Sequence, residues 1–484
     1  MVTRFIASAV GVAAGLVGGC SSSFESFRDM PSSSESLQPV NIDRAPRSVY
    51  RPDADAPADE PSLTAGSSSD DYVRFALYHS PKVEAAYQRW VAASERLPQV
   101  SALPDPRVNF GFFLDEVETR TGAQQARIGV SQSFPWPGLL DSREDAAASE
   151  ARAAWRRFEA ARLEVTEGVV SALLEIAYLD AAIRITGDNL ALLSSFEEIV
   201  RARYRVGVGS HPALVRVQVE LGQLEDRIAR LAALRPAYAA DLNAALDRAT
   251  DAPVPTFAAL PGRVATVDGA ALGEIARRSN PVLAALDEAV GEQQIRTSIA
   301  RKEGLPQFTV GLEYIATNEA MNPSIGESGD DPVLLSFGIS VPLWREKYDA
   351  GVRESIANRL AVSHDRADEA SRIVAAVQRA WFEHTDADRR VGLFETTLIP
   401  KAEESLRASL AGFRAGETSF LDLLDTERTL LEFAVAAARA RADRGQALAR
   451  LNSLVGEAVP TRAAYSRESK GNQDAWATPS EETP

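Results

Sequence analysis

Apolar residues recur along this chain with two different periods. In four short stretches every second residue is apolar. Val108, Phe110, Phe112 and Leu114 alternate with Asn109, Gly111 and Asp115, with a break at Phe113. Ile128, Val130 and Phe134 alternate with Arg127, Gly129, Ser131 and Ser133. Phe308, Val310, Leu312 and Tyr314 alternate with Thr309, Gly311 and Glu313, and Leu335, Phe337, Ile339 and Val341 alternate with Ser336, Gly338 and Ser340. A period of two predicts strands with one apolar face and one wet face. Here the wet face is small or charged, and the joining loops, 115–125 and 316–333, are polar and acidic. These features favour strands that cross a bilayer, which takes about 9–11 tilted residues, over a half-buried soluble sheet.

The second period belongs to long helices. No proline occurs between Gly138 and His211, and helical patterning runs from about Asp141 to Tyr204. At about 1.5 Å per residue this is roughly 95 Å, too long for a compact domain. Val169, Ile176, Ile183 and Leu190 run beside Leu179, Leu193 and Val200, with Thr186 interrupting. The return helix carries Leu214, Val217, Leu221, Leu224, Ile228, Leu231, Arg235, Tyr238 and Leu242 at alternating three-four spacing, a coiled-coil seam. Leu423, Thr426, Leu430, Phe433, Ala437, Ala440, Arg444, Ala447 and Leu451 keep the same register later in the chain. Arg235 matches Arg444 there, and the helix-breaking Pro236 matches Gly445.

Further matches make the body one unit written twice. Ser80-Pro81 and Asn280-Pro281 each open a helix with a cap and a proline at its first position. Pro106-Arg-Val-Asn-Phe-Gly-Phe corresponds to Pro306-Gln-Phe-Thr-Val-Gly-Leu, and Phe134-Pro135-Trp136 to Val341-Pro342-Leu343. Tyr204-Arg-Val-Gly-Val-Gly-Ser210 corresponds to Phe413-Arg-Ala-Gly-Glu-Thr-Ser419. Each copy therefore reads helix, strand, strand, long helix, turn, long helix. The first is expected over 71–250 and the second over 268–457, with 251–267 as a linker.

Four strands cannot close a membrane barrel, since the smallest have about 8 and an open edge in lipid leaves backbone groups unpaired. Several copies must share one barrel. At four strands each, two copies bring 8, three bring 12 and four bring 16. The residues demand an oligomer and leave its number open.

The chain starts with Met1–Arg4, then an apolar run, Phe5–Val17, ending at Leu16-Val17-Gly18-Gly19-Cys20. That order of charge, apolar stretch and small residues is a secretory signal, expected over 1–19. The cysteine after it resembles a bacterial lipobox. The resemblance implies cleavage before Cys20, a diacylglycerol thioether and an N-acyl chain on it, and, with Ser21 rather than Asp following, delivery to the outer membrane. Residues 20–70 are rich in Ser, Pro, Asp and Ala and read as an irregular lipidated segment, and 458–484 as a flexible tail.

Composition narrows the function. Among 484 residues, 52 basic against 68 acidic side chains give a net charge of −16, which argues against a nucleic-acid partner. A single cysteine excludes a disulfide framework and a cysteine-based zinc site. Four histidines and three methionines leave little for a metal site, and His211 reads as a surface residue of a turn. No phosphate loop, His-Glu-x-x-His or Gly-x-Ser-x-Gly is present, so neither catalysis nor a cofactor is expected.

Over residues 71–457 the doubled unit and the two Tyr/Phe-Arg-x-Gly turns resemble the TolC family of outer-membrane efflux ducts, of the lipid-anchored kind. The resemblance implies a mainly α fold with a membrane β-barrel. Three copies would form a 12-stranded barrel, continued across the periplasm by a coiled-coil α-helical barrel. It also implies a homotrimer docked to a periplasmic adaptor and an inner-membrane pump, conducting substrates outward passively. On this likeness Val206, Gly207, Ala415 and Gly416 are adaptor-contacting tips, although the glycines equally suit simple turn geometry. Asp422 and Asp425, three apart on one helix face, match the aspartates that line the periplasmic mouth. Ser419-x-x-Asp422 is also close to a capping box. In the first copy Ala213 stands where Asp422 stands in the second. The alternative is a periplasmic scaffold or adaptor lipoprotein without a pore, for which one hairpin flanked by small β domains would be expected.

Overall fold

The computed structural model describes residues 62–464, apart from 65, 208, 256–261, 323 and 325. The expected signal peptide at 1–19, Cys20, most of the segment 20–70 and the tail beyond 464 lie outside the described residues. In chain order the elements begin with helices α1 (Ser69–His79), α2 (Pro81–Ser94) and α3 (Leu97–Ser101), then strands β1 (Arg107–Thr119) and β2 (Gly122–Phe134). The long helix α4 (Leu139–Arg205), α5 (His211–Ala245), β3 (Arg263–Ala265), α6 (Gly269–Ser279) and α7 (Pro281–Glu303) follow. Then come β4 (Gln307–Thr317), β5 (Val333–Ser340), α8 (Arg345–Leu393), α9 (Ile399–Ala415), α10 (Phe420–Val455) and β6 (Thr461–Ala463). No described helix is long and apolar enough to cross a membrane.

One compact unit comprises Gln88–Arg156 and Ala284–Asp368. It holds a four-stranded antiparallel sheet in the order β1-β2-β4-β5. Its register slips between Phe112 and Val117, where the alternation breaks at Phe113: extra residues on one strand form a bulge. Cross-strand partners keep the apolar residues on one face, as Phe110↔Ile128↔Tyr314 and Val310↔Phe337. That face is bare. Phe110 is 68% exposed, Phe337 76% and Leu114 98%, values a sheet packed on a soluble core would not leave. On the other face Arg127 lies across Gly111, where a Cβ would sit 2.7 Å from its Nε, and pairs with Glu313 at 3.4 Å. A larger residue at Gly111 would push that side chain off the sheet. Among the described residues, no strand lies beside the outer edges of β1 and β5.

The second unit includes the described residues of 62–87, 157–283 and 369–464. Its helices bury the three-four stripes against one another. Leu193, Phe196 and Val200 of α4 meet Val217 and Leu224 of α5, Phe413 of α9, and Phe420, Leu423, Leu424, Leu431 and Val435 of α10. Thr186, which interrupts the α4 stripe, is buried and donates its hydroxyl to the Ala182 carbonyl at 2.7 Å, so no polar group is stranded. The matched seam arginines do matching work. Arg235 pairs with Asp180 at 2.6 Å and Arg444 with Asp388 at 2.8 Å.

Three details depart from the sequence pattern. Pro236 sits inside a continuous α5, where the carbonyl it leaves without a partner belongs to exposed Ala232 and can bond to water. Between α8 and α9 the helix widens to a π-turn at Phe394–Leu398, just before Pro400, which has no N–H to continue an α ladder. Thr461–Ala463, in the segment expected to be an irregular tail, pairs with Arg263–Ala265 in the expected linker.

His384 on α8 holds that small sheet in place. It is fully buried; its Nε2 accepts from the Ala265 N–H and its Nδ1 donates to the Arg444 carbonyl, each at 3.0 Å. Accepting at Nε2 requires the neutral ring, and burial holds its pKa below the ordinary 6.5. A depressed histidine pKa gives stability that is present above the unfolded value and lost as pH falls through it. Thermal unfolding midpoints are therefore expected to drop between pH 7 and pH 5. The drop should be smaller in His384→Gln, whose amide can both donate and accept. An equal drop in both proteins would refute the assignment.

Candidate functional site

Two helix hairpins end side by side in the second unit. The first turn follows α4. Gly207 adopts φ +79°, its N–H bonds to the Tyr204 carbonyl at 3.1 Å, and Gly209 N–H reaches the Arg203 carbonyl at 3.0 Å. Ser210 caps α5 by accepting from Ala213 N–H, and the ring of His211 stands edge-on to Tyr204 at 5.7 Å. The second turn follows α9, with Gly416 at φ +82° and its N–H on the last carbonyls of that helix. Nothing lies within 4 Å of a Cβ built on Gly207 or Gly416. Space is therefore not what requires glycine; the left-handed backbone is.

Arg203 ties the two ends together. It donates to the Arg414 carbonyl at 3.1 Å, and its guanidinium lies 4.3 Å from the centre of the Phe413 ring. Phe413 in turn packs edge-on against Phe420 at the start of α10. Thus Val206, Gly207, Ala415 and Gly416 lie at neighbouring helix ends, all four exposed to solvent.

Asp422 and Asp425 lie just beyond, on the exposed face of α10. Ser419 and Asp422 form the complete capping box: Asp422 N–H bonds to Ser419 Oγ at 3.2 Å and Ser419 N–H to Asp422 Oδ2 at 3.3 Å. The Asp425 carboxylate takes no part in the cap, leaving its charge to solvent and to Arg428. Among the described residues no group of three or more histidine, cysteine or acidic side chains is placed to hold a metal.

Sequence reasoning missed what lies behind these aspartates. Glu427 is 1% exposed, in the buried stripe between Leu424 and Leu431. Asn189 of α4, Glu220 of α5 and Arg428 act on it, and Arg428 itself forms an ion pair with Glu220. The available signal was a carboxylate three residues after one buried leucine and four before the next, on an apolar stripe.

The family described as outer membrane efflux protein matches residues 73–248 and 272–457, the greater part of the chain. The chain belongs to that family. Among curated relatives, the cobalt-zinc-cadmium resistance protein CzcC of Cupriavidus metallidurans is 20% identical over 347 residues, covering 69% of this chain and 77% of that protein. Among solved structures, the outer membrane protein VceC of Vibrio cholerae superposes with a TM-score of 0.66 at 17% identity, covering 81% of this chain and 97% of VceC. A membrane protein from Pseudomonas aeruginosa gives 0.68 at 16% identity, covering 85% and 99%. CusC gives 0.67 at 14% identity, covering 84% and 99%. These likenesses establish a shared fold, and the family makes this chain an outer membrane efflux channel.

Proposed function

We propose that three copies of this chain, each an internally duplicated unit, close a 12-stranded barrel in the outer membrane and continue it into the periplasm as a coiled-coil helical barrel. The observation that carries this reading is the sheet itself. Among the described residues nothing pairs with its two outer edges or covers its apolar face, so pairing β5 of one copy with β1 of the next satisfies the backbone while lipid covers the face. The matched pairs Arg235–Asp180 and Arg444–Asp388 support the duplication, their arginines and acids standing nearly the same number of residues apart in the chain.

Cys20 would carry the diacylglycerol and N-acyl chains that tether the periplasmic side to outer-membrane lipid. Val206, Gly207, Ala415 and Gly416 would meet the periplasmic adaptor, which couples the duct to an inner-membrane pump. Asp422 and Asp425 would set two rings of carboxylates around the periplasmic mouth and act as its gate. Conduction is passive, with no chemistry on the substrate. The likeness to CzcC and the acidic mouth together favour cationic cargo.

The test is detergent-solubilised protein of three-chain mass that conducts ions across planar bilayers. Cys20→Ala should stay in the outer membrane, because the barrel holds it there without lipid. A single-chain particle without current, or release of Cys20→Ala into the soluble fraction, would refute the duct.

A further inference from the structure

The mouth rests on a buried carboxyl whose neighbouring cation is paired with another acid. Glu427 lies five residues beyond Asp422 and two beyond Asp425 on α10, buried where they are exposed. Among the described residues its Oε1 has no hydrogen-bond partner, and neither has Asn189 Oδ1 on α4. The neighbouring cation, Arg428, donates to Glu220 of α5 from its Nε and from one of its two terminal nitrogens. From α9 the polar contribution is Ser409, hydrogen-bonded to Thr426. The surrounding core is otherwise of buried leucines, valines and phenylalanines. An ionised carboxylate in this place would be buried and next to a second carboxylate that already holds Arg428, whereas the neutral acid is a tolerable polar group.

We propose that Glu427 is a positioning residue of the mouth: protonated, it lets the start of α10 pack on α4 and α5, and losing its proton to water it loosens that packing and frees Asp422 and Asp425 to move. The proposal rests on reading these helix ends as the periplasmic mouth. Burial raises the Glu427 pKa to about 7, the Glu220 charge adds to the rise, and the Asn189 amide and Arg428 oppose it. Because the packed-state pKa is raised, packing is favoured below it and weakens as pH climbs through it. If the loosened carboxyl returns to its ordinary 4.5, the equilibrium for opening rises about tenfold between pH 6 and pH 8. A purely structural glutamate would give no such slope.

The experiment is amide hydrogen exchange on the full detergent-solubilised protein at pH 6 and pH 8, corrected for the intrinsic pH dependence of exchange. Peptides spanning 186–200 and 417–432 are expected to lose about tenfold in protection at the higher pH in the native protein. In Glu427→Gln, and in Glu427→Leu should the amide variant fold poorly, protection should be the same at both. An equal loss in native and variant proteins, or no loss in either, overturns the proposal. Bilayer recordings of the same samples should show opening that increases with pH in the native protein alone. Absence of current from every sample would defeat the channel reading, and the exchange result would still decide the role of Glu427.

Discussion

Arginine in place of Phe110 and Phe337 is expected to abolish assembly, while arginine in place of Ser131 and Ser340 leaves the barrel intact. Phe110 and Phe337 lie on the bare apolar face, which the proposed barrel turns toward lipid. An arginine there costs about 2–4 kcal/mol near the bilayer midplane and less toward either interface. Each chain would carry two such costs and the trimer repeats them, which rivals the roughly 5–15 kcal/mol that holds a typical domain folded. Ser131 and Ser340 belong to the opposite, small-residue face, where arginine meets water. The measurement is heat-sensitive migration on semi-native gels together with outer-membrane fractionation. If both pairs of substitutions are tolerated, or if the serine pair is the damaging one, the faces have been assigned the wrong way round.

The contrast between the two faces was legible because a strand has a period of two, so a reader of residues alone can sort each strand into halves. The long seams were legible for a similar reason: three-four spacing over many turns has no common alternative to a helix packed along one stripe. Where the pattern is short, it carries no information. The three-residue strands β3 and β6 are too brief to display alternation, and the residue that bonds to the Ala265 N–H on β3, His384, is distant in sequence. Proline was a misleading sign in both directions. Pro236 passes through a helix because solvent can serve the carbonyl it leaves, whereas Pro400 accompanies a π-turn that the seam pattern does not announce.

The candidate site divides the same way. Turn glycines and the capping box are local chemistry, written within a few residues, and the structure places Gly207, Gly416, Ser419 and Asp422 in those local roles. The contact of Arg203 with Arg414 and Phe413 joins two turns far apart in sequence, and no local pattern encodes it. Glu427 was hidden for a different reason. Charged residues are so common on helices that one carboxylate within a stripe reads as noise until its neighbours are known to be leucines and a second glutamate.

Removing the charges of Asp422 and Asp425 is expected to enlarge the current and weaken cation preference. In the proposed trimer each aspartate repeats three times around the axis, and opposed rings of like charge attract cations and hinder anions in a narrow mouth. Both carboxylates are exposed, so salt screens them over a Debye length of about 8 Å at physiological ionic strength. The preference should therefore fall as salt rises in the native protein and be low at every salt concentration in the variant. A cation-to-anion ratio lower by on the order of tenfold in dilute salt is the expected size for carboxylates this close to the path. Alanine at Asp422 also removes the partner of the Ser419 cap, worth about 1 kcal/mol at a helix start, so a larger current from Asp422→Ala/Asp425→Ala could reflect a frayed helix alone. The variant that separates the causes is Asp422→Asn/Asp425→Asn, whose amide oxygen can still accept from the Ser419 N–H while carrying no charge. If its selectivity and salt dependence match the native protein, the carboxylates do not face the path, and the mouth must be lined by other residues.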